Sequence, residues 1–313
     1  MKVLYPTIKI RGWSIFMAGA MALGVLILIL VTNSPAYAID ENGCLTCHGN
    51  PDLKKVNGDG ETISLYVNEE RTNTAAHRYL DCTQCHGSMV AAHTSGTELS
   101  KLSTAELCGT CHKYQYAQHL QSIHGQQLLL GNNDVATCVD CHSNEGNPHS
   151  VIRTLEYNAP TFKKNIANTC ADCHAQPELM ANYGIVETVY ESYMRSFHGK
   201  AMELGTYKAT ELDKATCTNC HGVHAIKAIT DPVSPVAGLD NLTKTCESCH
   251  PGAGVEFAES FLGHKEASPQ NNPIVHYTEV FFKYLMLSVI AFGIIIMLLA
   301  VRKYISNKWR ETE

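Results

Sequence analysis

The chain has 313 residues, 14 of them Cys and 16 His, with only 8% aromatic and 17% charged residues and a formal net charge of −6. All 14 cysteines fall in seven copies of C-x-x-C-H, beginning at Cys44, Cys82, Cys108, Cys138, Cys170, Cys217 and Cys246. A disulfide framework has no use for an imidazole at a fixed fifth position, and zinc ribbons, which take two C-x-x-C knuckles per metal, leave one of seven unmatched.

In chain order, residues 1–38 carry Lys2, Lys9 and Arg11, an apolar run from Ile15 to Val31, and Asn33-Ser-Pro-Ala-Tyr-Ala38. That is the order of a secretory signal with an A-x-A cleavage site after Ala38. The run is long for a signal, so an uncleaved anchor is the alternative; either way the chain is exported. Residues 39–275 are the expected exported domain. It opens with Cys44-Leu-Thr-Cys47-His48-Gly49, then Asn57-Gly-Asp-Gly60, read as a tight turn, and Thr62-Ile-Ser-Leu-Tyr-Val67, whose alternation predicts a short strand. His77 stands five residues before Cys82-x-x-Cys85-His86, and His93 seven after His86.

The segment from Cys108 to His224 is a duplication, with copies at about 108–150 and 170–225. The first reads Cys108-x-x-Cys111-His112, Tyr116-Ala-Gln-His119-Leu-Gln-Ser-Ile-His124-Gly125, Cys138-Val-Asp-Cys141-His142 and His149. The second reads Cys170-x-x-Cys173-His174, Tyr190-Glu-Ser-Tyr193-Met-Arg-Ser-Phe-His198-Gly199, Cys217-Thr-Asn-Cys220-His221 and His224. Before His198, the residues Leu179, Tyr183, Val186, Tyr190, Tyr193 and Phe197 recur at steps of three and four, which predicts a helix with His198 one position past its apolar stripe. Tyr116, Leu120 and Ile123 repeat the pattern before His124. The glycine after each histidine is expected to let the backbone turn and lie close to a porphyrin face. A degenerate third unit starts at Cys246-x-x-Cys249-His250 and includes Glu259-Ser-Phe-Leu-Gly-His264, with Gly and His in the opposite order.

Residues 280–301 are apolar and long enough to cross a bilayer of about 30 Å. Arg302, Lys303, Lys308 and Arg310 follow in the tail 302–313, which the positive-inside rule places in the cytoplasm, while Tyr277, Phe281, Phe282, Tyr304 and Trp309 supply interfacial belts. Lys283 can snorkel. Three of the 24 basic residues precede residue 39 and four follow 301, leaving 17 against 28 acids, a net of −11. Such a surface excludes nucleic acid as a partner and suits basic exported redox proteins.

Covalent haem c uses every part of the repeated motif. Both thiols form thioethers to the porphyrin and the adjacent histidine ligates the iron. Seven haem c groups are therefore expected, with His48, His86, His112, His142, His174, His221 and His250 as proximal ligands. At about 34 residues per haem the polypeptide is too short to fold without them, so the expected fold is mainly α with long loops and little β, organised around stacked haems, plus one C-terminal transmembrane helix. Of nine further histidines, His77, His93, His124, His149, His198, His224 and His264 fit the repeat and match seven empty axial positions. His119 aligns with Tyr193 and is not expected to ligate; His276, beside the membrane helix, is an interfacial residue, a ligand or part of a docking surface. Met89, Met180, Met194 and Met202 are alternative ligands.

The C-x-x-C-H-G start followed by a D-G turn and a short strand, with S-x-H-G elements ahead of later motifs, resembles the membrane-anchored multihaem c-type cytochromes of anaerobic respiratory chains over about residues 44–275. The resemblance implies a membrane b-type cytochrome or other quinone-linked partner, and sixth ligands at His124 and His198, with His77 in Ala-Ala-His-Arg a looser match. The chain departs from the quinol-dehydrogenase type of nitrate and nitrite respiration, whose single helix is N-terminal.

These readings converge on a non-catalytic electron-transfer subunit in a bacterial or archaeal cell membrane, its haem domain on the periplasmic side. The alternative is a multihaem oxidoreductase acting on a small nitrogen or sulfur compound at one open haem.

Overall fold

The elements follow from local capping more than from any large hydrophobic core. In the computed structural model, residues 43–56, 60, 62–87, 99–204, 214–261, 263–265, 267–270 and 272–310 are described. The expected signal at 1–38, His93 and Met89 lie outside them. The described residues are 58% helix and 3% strand, mainly α as expected. It divides into two units, one up to Leu99 with Asn147–Arg153, the other Ser100–Gly146 with everything from Thr154 onward.

In the first unit, helix α1 (Leu45–His48) leads into an antiparallel hairpin, β1 (Lys54–Val56) with β2 (Thr62–Ser64), in which Lys55 faces Ile63. The strand expected over 62–67 stops at Ser64, and β1 was not foreseen. Beyond Ser64 the backbone leaves the ladder: Leu65 N–H donates to Leu53 O at 2.9 Å and Val67 N–H to His48 O at 2.7 Å, which ties the hairpin to α1. Helix α2 (Glu69–Thr74) is capped by Asn68, whose Oδ1 accepts from Arg71 N at 2.9 Å. Helix α3 (Cys82–His86) follows. The short 3-10 turn Pro148–Ser150 joins this unit through Ala76 N–H donating to Val151 O at 2.7 Å.

The second unit begins with α4 (Lys101–Cys111), α5 (Lys113–Leu120), α6 (Ile123–Leu129) and α7 (Cys138–His142). It continues with α8 (Ile166–His174), α9 (Pro177–Ala181), α10 (Val189–Arg195), α11 (Phe197–Leu204), α12 (Cys217–His221), α13 (Gly238–Glu247) and α14 (Val255–Glu259). The continuous helix that periodicity predicted before His198 is three short ones. The chain turns at Gly184, φ +62°, between α9 and α10, and Ser196 leaves helical geometry (ψ 164°) between α10 and α11. The apolar stripe is real, but a period does not register a serine that ends one helix and caps the next.

Among the described residues ten hydrophobic side chains are buried, six of them alanine, with Leu128, Val139, Met180 and Met202 the larger ones. Phe197, beside His198, is 95% exposed and Leu130 78%. Helix–helix packing therefore does not supply a core of ordinary size.

The last helix, α15 (Pro273–Arg310), has 38 residues and is long and apolar enough to cross a membrane: its most apolar 18-residue stretch has a mean hydropathy of 2.7 and none of that stretch is buried. It exceeds the expected 280–301 at both ends. Pro273 suits a first helical turn, where its missing N–H costs nothing. Asn272 Oδ1 accepts from Val275 N at 3.2 Å, and no Gly or Pro interrupts the chain after Val301. At 1.5 Å per residue the helix is about 57 Å long, so part of it extends beyond a hydrocarbon layer of about 30 Å.

Candidate functional site: facing histidine pairs

The C-x-x-C-H copies are helical over all or part of their length, and in three of them the second variable residue is part of the reason. In α3, α7 and α12 the residue before the first cysteine is the N-cap and the third helical residue reaches back to it, a capping box. Gln84 Oε1 accepts from Asp81 N at 3.2 Å, Asp140 Oδ2 from Thr137 N at 2.7 Å, and Asn219 Oδ1 from Thr216 N at 2.9 Å. Lys101 Nζ lies 3.6 Å from Asp140 Oδ2. The copies at Cys108, Cys170 and Cys246 instead start within the longer helices α4, α8 and α13.

The S-x-H-G element is also a helix start. Ser122 Oγ accepts from Gly125 N at 2.9 Å and donates to His119 O at 2.6 Å. Ser196 repeats this with Gly199 N at 3.2 Å and Tyr193 O at 2.6 Å. His124 and His198 thus occupy the second position of α6 and α11, projected from a first turn that serine holds. The glycines do not act by turning the backbone, as expected from sequence. A Cβ at Gly125 or Gly199 would overlap the carbonyl oxygen of His119 or Tyr193, so glycine lets the new helix start close against the preceding one.

Five of the extra histidines face a motif histidine. The ring centroids are 5.9 Å apart for His86 and His149, 6.2 Å for His124 and His174, 6.2 Å for His142 and His224, 6.1 Å for His198 and His250, and 6.2 Å for His221 and His264. The partners come from different repeats in a regular way. The S-x-H-G histidine faces the first motif of the next unit, and the trailing histidine faces the second motif of the preceding unit. His149 is placed by the turn at Pro148, where Asn147 Oδ1 accepts from its backbone N at 2.9 Å. His77 occupies the turn 76–79 after α2. Met180 and Met202 are buried side chains of the small core.

Burial pushes the imidazoles of His86, His142, His149, His174, His198, His221, His224 and His264 below their ordinary pKa, and His124 down to about 4, with His174 and His119 adding to the effect there. A neutral imidazole keeps a bare ring nitrogen, which is the metal-binding form. Two rings are also held from behind. His48 Nδ1 lies 2.8 Å from Leu65 O, and His264 Nδ1 lies 3.0 Å from Ser192 Oγ. Leu65 and Ser192 were missed by sequence reasoning, because they stand 17 and 72 residues from the rings they touch and nothing local marks them.

Successive motifs in the second unit lie side by side. The Cys108 and Cys138 thiols interact, which holds Cys108 below the ordinary thiol range, and the Cys170 and Cys217 thiols interact in the second copy. Cys141, pushed up to about 11 by burial, also feels Asp140 and Cys173, while Cys220 feels Cys246 and Cys249. His119 sits among His124, His224 and Asp140, with its Nε2 buried and without a hydrogen-bond partner. Its counterpart Tyr193 donates to Ala215 O at 3.0 Å.

Among the described residues no three His, Cys, Asp or Glu side chains gather as a metal-binding group. The nitrogen donors come in twos, the set suited to a metal whose other coordination positions are filled by a non-protein ligand. Comparison with known protein families, curated proteins and solved structures finds no match to this chain.

Proposed function

We propose that this chain is a membrane-anchored heptahaem c-type cytochrome that relays electrons between a quinone-linked membrane complex, expected to contain a b-type cytochrome, and an exported redox partner. One observation carries the reading: five C-x-x-C-H histidines each face another histidine at 5.9 to 6.2 Å. Two metal–nitrogen bonds of about 2.0 Å, with about 1.1 Å from each ring nitrogen to its ring centre, put axial imidazoles of one metal roughly 6.2 Å apart. A porphyrin supplies four nitrogens, so a pair from the protein completes the set. In the motifs at Cys82, Cys138, Cys170 and Cys217 both cysteines stand three residues apart on the helix that carries the proximal histidine, and exposed apolar side chains such as Phe197 and Leu130 fit a protein whose core is largely porphyrin.

Bound haem supplies reversible one-electron chemistry at iron. The residues of this chain do the rest. At the five paired motifs two imidazoles would close the iron to substrates, which favours transfer over catalysis. Capping boxes fix the motif helices α3, α7 and α12. The regular succession from the Cys108 motif to the Cys246 motif provides a continuous path through the second unit, and α15 holds the chain at a bilayer.

The test is haem stoichiometry and spin state on the full chain. Mass spectrometry should give seven covalent haems, and reduced spectra should be low-spin without carbon monoxide binding. Absence of covalent haem refutes the proposal; one carbon-monoxide-binding haem in the unaltered protein would favour catalysis at an open iron.

A further inference from the structure

His264 differs from His124 and His198 in how it is held. His124 and His198 ride on helix starts capped by Ser122 and Ser196. His264 instead lies in a turn after Gly263, φ +64°, in the unit where the Gly and His of S-x-H-G have exchanged order. Two contacts orient its ring, one local and one from α10. The edge of Phe261 meets it at 6.3 Å and 83°, and Ser192 Oγ, on α10, lies 3.0 Å from its Nδ1.

The direction of the Ser192 bond can be worked out. A serine hydroxyl has one proton, and this one is donated to Val189 O at 2.9 Å. The Oγ lone pairs are left, so Nδ1–H of His264 is the donor. That fixes the tautomer: Nε2 is bare, and the ring faces His221 with its plane only 20° from that of its partner. We infer that Ser192 is a positioning residue, one that sets the tautomer, rotation and donor strength of His264 toward the metal it shares with His221. The inference rests on the haem reading above. Ser192 aligns with Gln118 in the first copy, so the device belongs to the second copy alone.

An acceptor on Nδ1–H makes the far nitrogen more basic and so favours the ferric state. Losing it should shift one haem of seven toward reduction by roughly three- to tenfold, the weight of one neutral hydrogen bond in an equilibrium constant. At the upper end this is about 59 mV for one electron. The angle between axial ring planes also governs the low-spin electron paramagnetic resonance signal, which should change for the same haem once the ring can rotate.

The experiment compares Ser192→Thr, which keeps a hydroxyl, with the isosteric Ser192→Val and with Ser192→Ala, in the full haem-loaded chain. Readouts are covalent haem by mass, a spectroelectrochemical titration and the resonance spectrum. The inference expects Thr to match the parent while Val and Ala keep seven haems and move one potential upward, or fail to accumulate where Thr succeeds. Superimposable titrations and spectra for all three overturn it, as does a Thr variant displaced as far as Val, which would mean that packing alone is at work. A parent lacking covalent haem overturns the functional proposal and this inference together, and that failure is seen by mass before any variant is compared.

Discussion

Replacing Gly125 with Ala tests how the S-x-H-G element places its histidine. The new Cβ overlaps the His119 carbonyl oxygen and lies 2.6 Å from the His119 carbonyl carbon and 2.7 Å from Leu120 Cα. All are backbone atoms, so no side-chain rotation relieves the clash, and the junction of α5 and α6 must open by roughly 1 Å to restore ordinary contact. Overpacking of this kind typically costs about 1–3 kcal/mol. Opening also stretches the bond from Gly125 N–H to Ser122 Oγ, and Ser122 is 1% exposed. A buried donor left unsatisfied adds about 1–3 kcal/mol, so the total is about 2–6 kcal/mol. Gly131→Ala is the control. Nothing lies within 4 Å of its Cβ position, and its φ of +87° leaves only the left-handed backbone penalty, about 1–2 kcal/mol. For a domain of this size each kcal/mol moves the thermal midpoint by about 2–4 °C. Melting followed at the Soret band should therefore place Gly125→Ala clearly below Gly131→Ala. His124, one residue away, should leave its 6.2 Å station opposite His174, letting carbon monoxide bind one haem in seven. Equal midpoints with no carbon monoxide binding would refute the close-approach argument.

Three further outcomes are expected. His198→Ala should retain seven covalent haems but open one iron to carbon monoxide, while His119→Ala should open none; titration with carbon monoxide distinguishes the two. Acidification should destabilise the haem domain. The buried imidazoles have folded pKa values below the unfolded 6.5, with His124 at about 4, so the unfolded chain binds more protons as pH falls and stability is lost between about pH 6.5 and 4. Protons compete with metal for the same nitrogen, which acts in the same direction, and a low-spin fraction that rises on acidification would contradict this. Ending the chain at Asn272, before α15, should release a reducible haem protein from membranes; if it still sediments with them, the N-terminal apolar run is an anchor.

Much of the site was legible because its chemistry is local. C-x-x-C-H needs five consecutive residues, and S-x-H-G four, so both could be located from sequence alone. Ser122 and Ser196 then show why the long helix predicted before His198 fails. The stripe from Leu179 to Phe197 records which residues face inward, yet Gly184 and Ser196 break the backbone without disturbing that period. The turn expected at the glycine of S-x-H-G is absent, since that glycine is helical and its close neighbour is the carbonyl of the previous helix.

The sequence by itself determined the number of motifs, the duplication, the mainly helical class and the apolar C-terminal span, because each depends on spacing along the chain. Only the tertiary structure decided which histidine faces which. His124 reaches 50 residues forward to His174 and His224 reaches 82 back to His142. Pairings over such separations are set by how the short helices stack, and loop closure changes too little with length to favour any one of them. The same holds for Ser192 behind His264. A serine carries no mark of the ring it will meet 72 residues later, and only the fold of α10 against the third unit brings its lone pair to Nδ1.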